Sequence, residues 1–379
     1  MAALREGVST GTCAAAAAMA AVELAAFGDL PPLALAPLPP FKAGKPASFL
    51  PVPIDSGALR PAAANTPPGL DYPLARANVV KDGGDDPDAT HGAAISATLQ
   101  QVLDPSLAKP NAGRRGDLFL YGGEGVGVAT RSGLPIAVGE AAINPVPREQ
   151  IHFAVNSLRD ALARLPSPLA VIISVPDGEE RARDTLNSRL GILGGVSILG
   201  THGIVRPFSA EAWTETVKRC LDVADPRLPI IFSTGRRSEK ALMNIYPELP
   251  QSSFVQAGDL VAFSLAEAAK RHAGMIAWGA FFGKLLKLAQ GLPDTRASRG
   301  ALDLDWLARL HESREPRIAR EIAASTTARS ALEFLLSSPR GRETIKEVLR
   351  LAKLQAGKWA GREVLVHLFH ENGEELARL

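Results

Sequence analysis

Leu228-Pro229-Ile230-Ile231-Phe232-Ser233 is an apolar run closed by Thr234-Gly235. The pattern returns as Ser253-Phe254-Val255-Gln256 before Ala257-Gly258-Asp259, and as Met275-Ile276-Ala277-Trp278 before Gly279-Ala280. Helical patterns lie between and after these runs: a short one from Ser238, then Leu260–His272 and Phe282–Gln290. Another helix, capped by Ser209, precedes them and runs to about Val223. Strands alternating with helices predict a parallel, Rossmann-like sheet. Ligands of such sheets sit beyond the carboxyl ends of the strands. Those ends are Ser233-Thr234-Gly235-Arg236, Ala257-Gly258-Asp259 and Gly279-Ala280. From Asp303 to Leu379 the chain reads as a run of helices, with His367 and His370 at i and i+3 as surface residues. Gly283-Lys284 is a poor phosphate loop, because the spacing from Gly279 is one residue short and Leu285 stands where Ser or Thr is needed.

The first half has another texture. Ser9-Thr10-Gly11-Thr12 offers capping hydroxyls ahead of an alanine run, Ala14 to Ala26, that favours a helix. Eight prolines between Pro31 and Pro53, then Pro61, Pro67, Pro68 and Pro73, predict an irregular surface excursion. Short β-like runs follow near Ala77–Lys81, Ala93–Gln100, Leu118–Tyr121, Gly127–Arg131 and Pro135–Val138. Pro147 to Leu165 reads as a helix, and Leu169–Val175 as a β run closed by Pro176-Asp177-Gly178. The fold class expected is therefore α/β (α+β). Residues 1–200 form an α+β domain with antiparallel strands, and residues 201–379 a Rossmann-like domain with C-terminal helices.

Composition narrows the classes of function. In 379 residues, 46% are hydrophobic and 22% charged, which excludes disorder as the main state. A net charge of +2 gives no global field for nucleic acid. The apolar stretch Cys13–Val22 is too short to span a bilayer. Two distant cysteines make neither a disulfide framework nor a zinc site, so the expected place is the cytoplasm.

Four segments could carry chemistry. Val80 to Gly92 packs Lys81, Asp82, Asp85, Asp86, Asp88 and His91 into one glycine- and proline-bent loop. It suits proton transfer or metal binding, or else Asx-turn chemistry that only stabilises the bend. Gly122 to Gly127 lacks the G-x-G-x-x-G spacing and reads as structural. Arg148, close to Pro147 at a helix start, suits an anion or water. Asp184 to Gly203, with repeated glycines and Ser197, Thr201 and His202, reads either as a backbone-lined binding surface or as a buried connection.

Together these segments resemble the cobalt-precorrin-5B C1-methyltransferase family (CbiD). The resemblance lies in Leu4-Arg5-Glu6-Gly7, Thr10 to Ala15, Val80 to Gly92, Gly122 to Val128, Ala142 to Arg148 and Thr185 to Val205. Weaker likeness continues at Gly258-Asp259 and Gly283 to Ala289, so that about residues 4 to 310 are covered. The resemblance implies transfer of a methyl group from S-adenosylmethionine to C-1 of a polycarboxylate corrin precursor, with no protein-bound metal. It also implies an α+β domain followed by a Rossmann-like one. Cobalt-free precorrin as substrate and a non-catalytic corrinoid carrier are the competing readings.

On that footing Asp85, Asp86 and His91 are the catalytic candidates. Ser9, Thr10, Thr12, Lys81, Arg148, Arg189, Thr201, His202 and Arg206 are candidates for the substrate, whose carboxylates suit arginines and helix N-termini. Thr234, Gly235, Gly258 and Asp259 are candidates for the cofactor, with Asp259 on a ribose hydroxyl or else capping the helix from Leu260. The expected partners are the corrin precursor and either a second copy of the chain or neighbouring pathway enzymes in transient contact, with neither nucleic acid nor membrane. Two departures stand out. Thr295-Arg296 replaces an expected Thr-His pair, and Gly279-Ala280-Phe281-Phe282 lacks the family's histidine.

Overall fold

Alanine combines the highest helix propensity with the smallest helix-forming side chain. In the computed structural model Ala14 to Ala18 are wholly buried in α1 (Thr10–Phe27), whose N-cap is Ser9. Residues 4–41, 45–62, 66–207 and 209–379 are described, and the chain divides into two units, Met1–Ser209 and Ala210–Leu379. By length and composition α1 could cross a membrane, but most of it lies in the core.

In the first unit, a short strand β1 (Gly7–Val8) precedes α1. The proline-rich segment is not irregular: β2 (Leu33–Leu38) and β3 (Ser48–Pro53) form an antiparallel hairpin with Leu35 opposite Pro51. A two-stranded hairpin leaves each strand one open edge, where the missing proline N–H groups cost no ladder bond. Residues 42–44 and 63–65 of that segment lie outside the described residues.

The main sheet comprises β4 (Ser56–Leu59), β5 (Leu70–Val80), β6 (Ala94–Val102), β7 (Arg114–Arg115), β8 (Leu118–Gly122) and β10 (Leu169–Ser174). Its order is β4-β5-β6-β10-β8-β7. It departs from a meander because β10 enters between β6 and β8 and runs parallel to β8. The expected strand at Gly127–Arg131 shrinks to β9 (Val128–Ala129), paired with β11 (Ile192–Leu193), and Pro135–Val138 forms no strand. The expected helix from Pro147 breaks at Leu158 into α2 (Pro145–Ser157) and α3 (Arg159–Leu162). A short α4 (Gly178–Ala182) and β12 (Ile204–Val205), paired with β1, complete the unit. Ala77, Val79, Ile95, Ala97 and Leu99 meet α1 on one face of the sheet.

The second unit opens with α5 (Ala210–Val223), then β13 (Ile230–Ser233), α6 (Arg236–Ile245), β14 (Phe254–Gln256), α7 (Val261–Arg271), β15 (Ile276–Phe281) and α8 (Phe282–Ala289). Helices α9 (Leu304–Glu312), α10 (Pro316–Ala324), α11 (Ala328–Ser337) and α12 (Gly341–Ala360) follow. The chain does not end in helix: β16 (Leu365–Phe369) and β17 (Glu375–Arg378) return to the sheet. Its order is β14-β13-β15-β16-β17, with every neighbour parallel except the last pair. Leu242 of α6 packs on one face with Ile231 and Ala277, while α7, α8 and α12 cover Phe232 and Trp278 on the other. His367 is no surface residue. It is buried in β16, with Nε2 2.9 Å from the Tyr246 hydroxyl and Nδ1 2.6 Å from the Glu375 carboxylate.

Candidate functional site

The loop after β5 is fixed from below by a buried ion pair. Lys81 continues the β5–β6 ladder, donating its N–H to Ala93 O and accepting from Gly92 N. Its side chain is 1% exposed, and Nζ donates to Asp88 Oδ2 at 2.6 Å. Asp88 Oδ1 accepts both the N–H and the hydroxyl of Thr90, at 2.7 Å each. Burial alone would raise the Asp88 carboxyl, but the Lys81 ammonium and the Thr90 bonds outweigh it and hold the group below the usual carboxylate range. Nearby, desolvation pushes the Cys13 thiol up to about 12, which leaves it protonated and inert.

The loop is also tied along its sides. The Arg5 carbonyl accepts the Asp85 N–H at 3.0 Å, the Asp85 carboxylate accepts the Arg5 N–H at 2.7 Å, and the Arg5 guanidinium pairs with Asp82. Gly7 lies flat on the loop, since a Cβ there would stand 2.2 Å from the Gly83 carbonyl carbon. Arg181 of α4 donates to the carbonyls of Ala89 and His91 at 2.9 and 2.8 Å while pairing with Asp177. These ties leave His91 exposed, with Nδ1 accepting the Gly83 N–H at 2.9 Å, beside exposed Asp85 and half-buried Asp86. Among the described residues no group of three or more His, Cys, Asp or Glu is placed to share a metal ion.

The hydroxyls ahead of α1 turn inward. Thr10 Oγ1 donates to the carbonyls of Ser197 and Leu199 and accepts the Leu199 N–H at 2.8 Å. Thr12 Oγ1 donates to Gly203 O at 2.7 Å and accepts from Gln150, and Ser9 Oγ caps the Thr12 N–H. All three are buried, so they join α1 to residues 197–203 and present nothing to a ligand. Arg148 likewise donates to Ile143 O at 2.6 Å and pairs with Glu140 at 2.8 Å, which braces the start of α2. Thr201 and His202 are exposed, Arg206 is exposed and pairs with Glu6, and Arg189 is half-buried. Since β1 pairs with β12, Thr201, His202 and Arg206 lie on the chain segment beside the loop that carries His91.

The glycines of residues 122–127 are structural, as read. A Cβ on Gly125 would stand 1.7 Å from Val175 O, and one on Gly178 or Gly195 2.1 Å from Gly125 O. Three stretches of backbone cross there, with Val196 donating to Gly125 O and Gly127 to Val196 O. Only glycine permits that approach.

In the second unit the strand ends differ in availability. Ser233 Oγ is fully buried and has no hydrogen-bond partner among the described residues. It precedes Thr234 and Gly235 and the start of α6, where Arg236 and Arg237 are exposed. The Arg237 guanidinium lies 4.8 Å over the Phe281 ring. Phe281 also lines a cavity of about 200 Å³, with Phe282, Leu332 and Phe369, at the ends of β15 and β16. Gly258 adopts φ +60° against Trp213, whose indole N–H donates to Ala257 O at 3.0 Å.

Asp259 is occupied. It pairs with Lys284 and accepts the Thr295 hydroxyl at 2.5 Å. Lys287, nearly buried, donates to the carbonyls of Thr295 and Gly300 at 3.2 and 2.9 Å. In the two departures from the family pattern, Arg296 pairs with Asp294, and Gly279 gives way to Leu242, 2.7 Å from where its Cβ would be.

Sequence reasoning gave no separate role to Arg5, Arg181 and Thr90, and did not single out Asp88 within the loop, though all four shape it. Asp88 and Thr90 were visible inside the segment; Arg181, ninety residues away from His91, carried no local signal.

A sequence model of the CbiD family matches residues 1–207. A cobalt-precorrin-5B C(1)-methyltransferase of Nitratidesulfovibrio vulgaris (strain Hildenborough) is 44% identical, over 99% of this chain and 92% of its own length. One from Geobacillus thermodenitrificans is 42% identical over 82% of this chain and 76% of its own. A crystal structure of a cobalamin biosynthesis protein (cbiD) from Archaeoglobus fulgidus shares 28% identity, covers 75% of this chain and 79% of that chain, and has a TM-score of 0.37.

Proposed function

The chain belongs to the CbiD family, and from that premise we propose that it is a cobalt-precorrin-5B C(1)-methyltransferase of cobalamin biosynthesis that takes its methyl group from S-adenosylmethionine. The observation that carries this reading is the 44% identity with a so-named enzyme across nearly the whole of both chains. S-adenosylmethionine supplies an electrophilic methyl group on a sulfonium, and its transfer is an in-line displacement governed by placement of the two reactants.

The loop of Asp85, Asp86 and His91 is the substrate-facing element in this reading, with Thr201, His202, Arg189 and Arg206 as neighbours for substrate carboxylates. Lys81 supports that loop from inside. Thr234, Gly235 and Gly258 are the cofactor candidates, at the carboxyl ends of β13 and β14. Ser9, Thr10 and Thr12 are left out because they are buried with their hydroxyls bonded inside the fold, and Arg148 and Asp259 because each is held by an ion pair together with a further hydrogen bond. Arg206, paired with Glu6, and Thr234, 3.2 Å from Ser238 Oγ, keep single contacts that a ligand can replace.

The test is anaerobic incubation with S-adenosylmethionine and freshly made cobalt-precorrin-5B, read by product mass. One added methyl group with equimolar S-adenosylhomocysteine is expected. No mass change with intact substrate and folded protein overturns the reading.

A further inference from the structure

The His91 ring is held in one protonation pattern by the backbone beneath it. The Gly83 N–H donates to Nδ1 at 2.9 Å. A backbone amide can only donate, so Nδ1 carries a lone pair and the ring proton of the neutral imidazole sits on Nε2. The side chain is 55% exposed, and Nε2 makes no hydrogen bond among the described residues. In this tautomer the atom that the ring presents to solvent is a donor, Nε2–H.

Gly83 lies between the ring and the buried lysine, under Gly7. A Cβ on Gly83 would stand 3.3 Å from His91 Nδ1 and 3.4 Å from Lys81 Nζ, so the ammonium and the imidazole flank the same glycine. Lys81 in turn is clamped by Asp88, and Asp88 by Thr90, the residue before His91. The other charged groups near the ring are Asp82, 3.9 Å from Nδ1 and paired with Arg5, and Arg181, which binds the His91 carbonyl.

We propose that His91 acts in the methyl transfer as a neutral Nε2–H hydrogen-bond donor to the macrocycle, and that Lys81 is the positioning residue that fixes this tautomer through Asp88 and Thr90, which set the backbone that carries His91 opposite Gly83. The proposal rests on the reading above that this loop faces the substrate. It assigns Lys81 an indirect part, because a side chain 1% exposed does not reach a ligand.

Three histidine variants separate the roles. His91→Ala removes the donor and is expected to lower kcat about 100-fold, the usual size for one lost transition-state donor. His91→Gln places an amide N–H near the Nε2 position without any basic nitrogen, and is expected to stay within about 10-fold of the unmodified enzyme. His91→Asn, whose shorter amide falls nearer Nδ1, is expected to behave as His91→Ala. Equal loss in His91→Ala and His91→Gln overturns the donor role in favour of a base. Unchanged turnover in His91→Ala removes the loop from the substrate site altogether.

The tautomer is read separately, by imidazole ¹⁵N NMR on the folded protein without substrate. Nδ1 is expected bare and Nε2 protonated, with Lys81→Met giving mixed tautomers and kcat falling towards the His91→Ala value. If Lys81→Met does not fold, Lys81→Met/Asp88→Asn, which removes both charges together, replaces it. A folded variant of either kind that keeps both the single tautomer and full kcat overturns the positioning role of Lys81. A mixed tautomer in the unmodified protein overturns the donor assignment even if the loop proves essential.

Discussion

Each unit contains a lysine–aspartate pair beyond the carboxyl end of a strand, Lys81 after β5 and Asp259 after β14, and the two do opposite things. Lys81–Asp88 lies under a loop, with the lysine inside and the aspartate towards the surface, and the loop above it keeps an imidazole open to solvent. Lys284–Asp259 lies beside residues 293–300, and there the Thr295 hydroxyl bonds Asp259 while Lys287 bonds the carbonyls of Thr295 and Gly300. The first pair is a foundation and the second a lock. Residue type does not distinguish a site from a clamp; what does is whether the residues above the pair leave a polar group open to solvent, as they leave His91.

The largest test of this contrast is Asp88→Asn. It strands an ammonium that is 1% exposed, and an uncompensated buried charge costs about 3 kcal/mol or more. Urea unfolding should show that loss, and a cost below about 1 kcal/mol would mean that Lys81 finds another partner. Lys287→Met comes next, since it removes the donor shared by the carbonyls of Thr295 and Gly300, for about 2 kcal/mol. Its kcat should stay unchanged; a fall would move residues 293–300 into the site.

Asp259→Asn is expected to cost only about 1 kcal/mol, because Lys284 is 37% exposed and can turn to water. Equal costs for the two aspartates would erase the contrast. The smallest effect is in acid. Asp88 is depressed in the fold, so its contribution is complete above the unfolded carboxylate value of about 3.9 and is lost as pH falls through the folded value. Asp88→Asn should therefore lose less stability than the parent protein as pH is lowered below about 4. Parallel acid unfolding curves would show that Asp88 does not carry this dependence.

Periodicity revealed much of this architecture. The alanine run from Ala14 and the alternation from Ile230 to Phe281 became α1 and the parallel sheet because spacing alone expresses helix and strand. Prolines hid the β2–β3 hairpin, since a proline counts against a strand until its edge position is known. Five apolar-rich residues, Leu365–Phe369, were too few to break the helical reading of what preceded them, and His367 was misplaced with them. The loop itself was legible from its density of charge. The inward turn of Thr10 and Thr12 was not, because their partners at Ser197, Leu199 and Gly203 come from far along the chain. Asp259 had a visible sequence neighbour in Leu260 but not its true partners, Lys284 and Thr295.

The pairing of β1 with β12 also has a consequence in time. Gly7 is bonded opposite Val205, and the hydroxyls around the start of α1 close on Ser197 to Gly203. During synthesis α1 therefore leaves the ribosome with its alanine flank bare, and its last contacts exist only after some two hundred residues have followed. Such long-range closure is slow and exposes apolar surface while it waits. A nascent chain halted before Ser197 should remain protease-sensitive around residues 10–27, and the same stretch should become protected once Val205 has emerged.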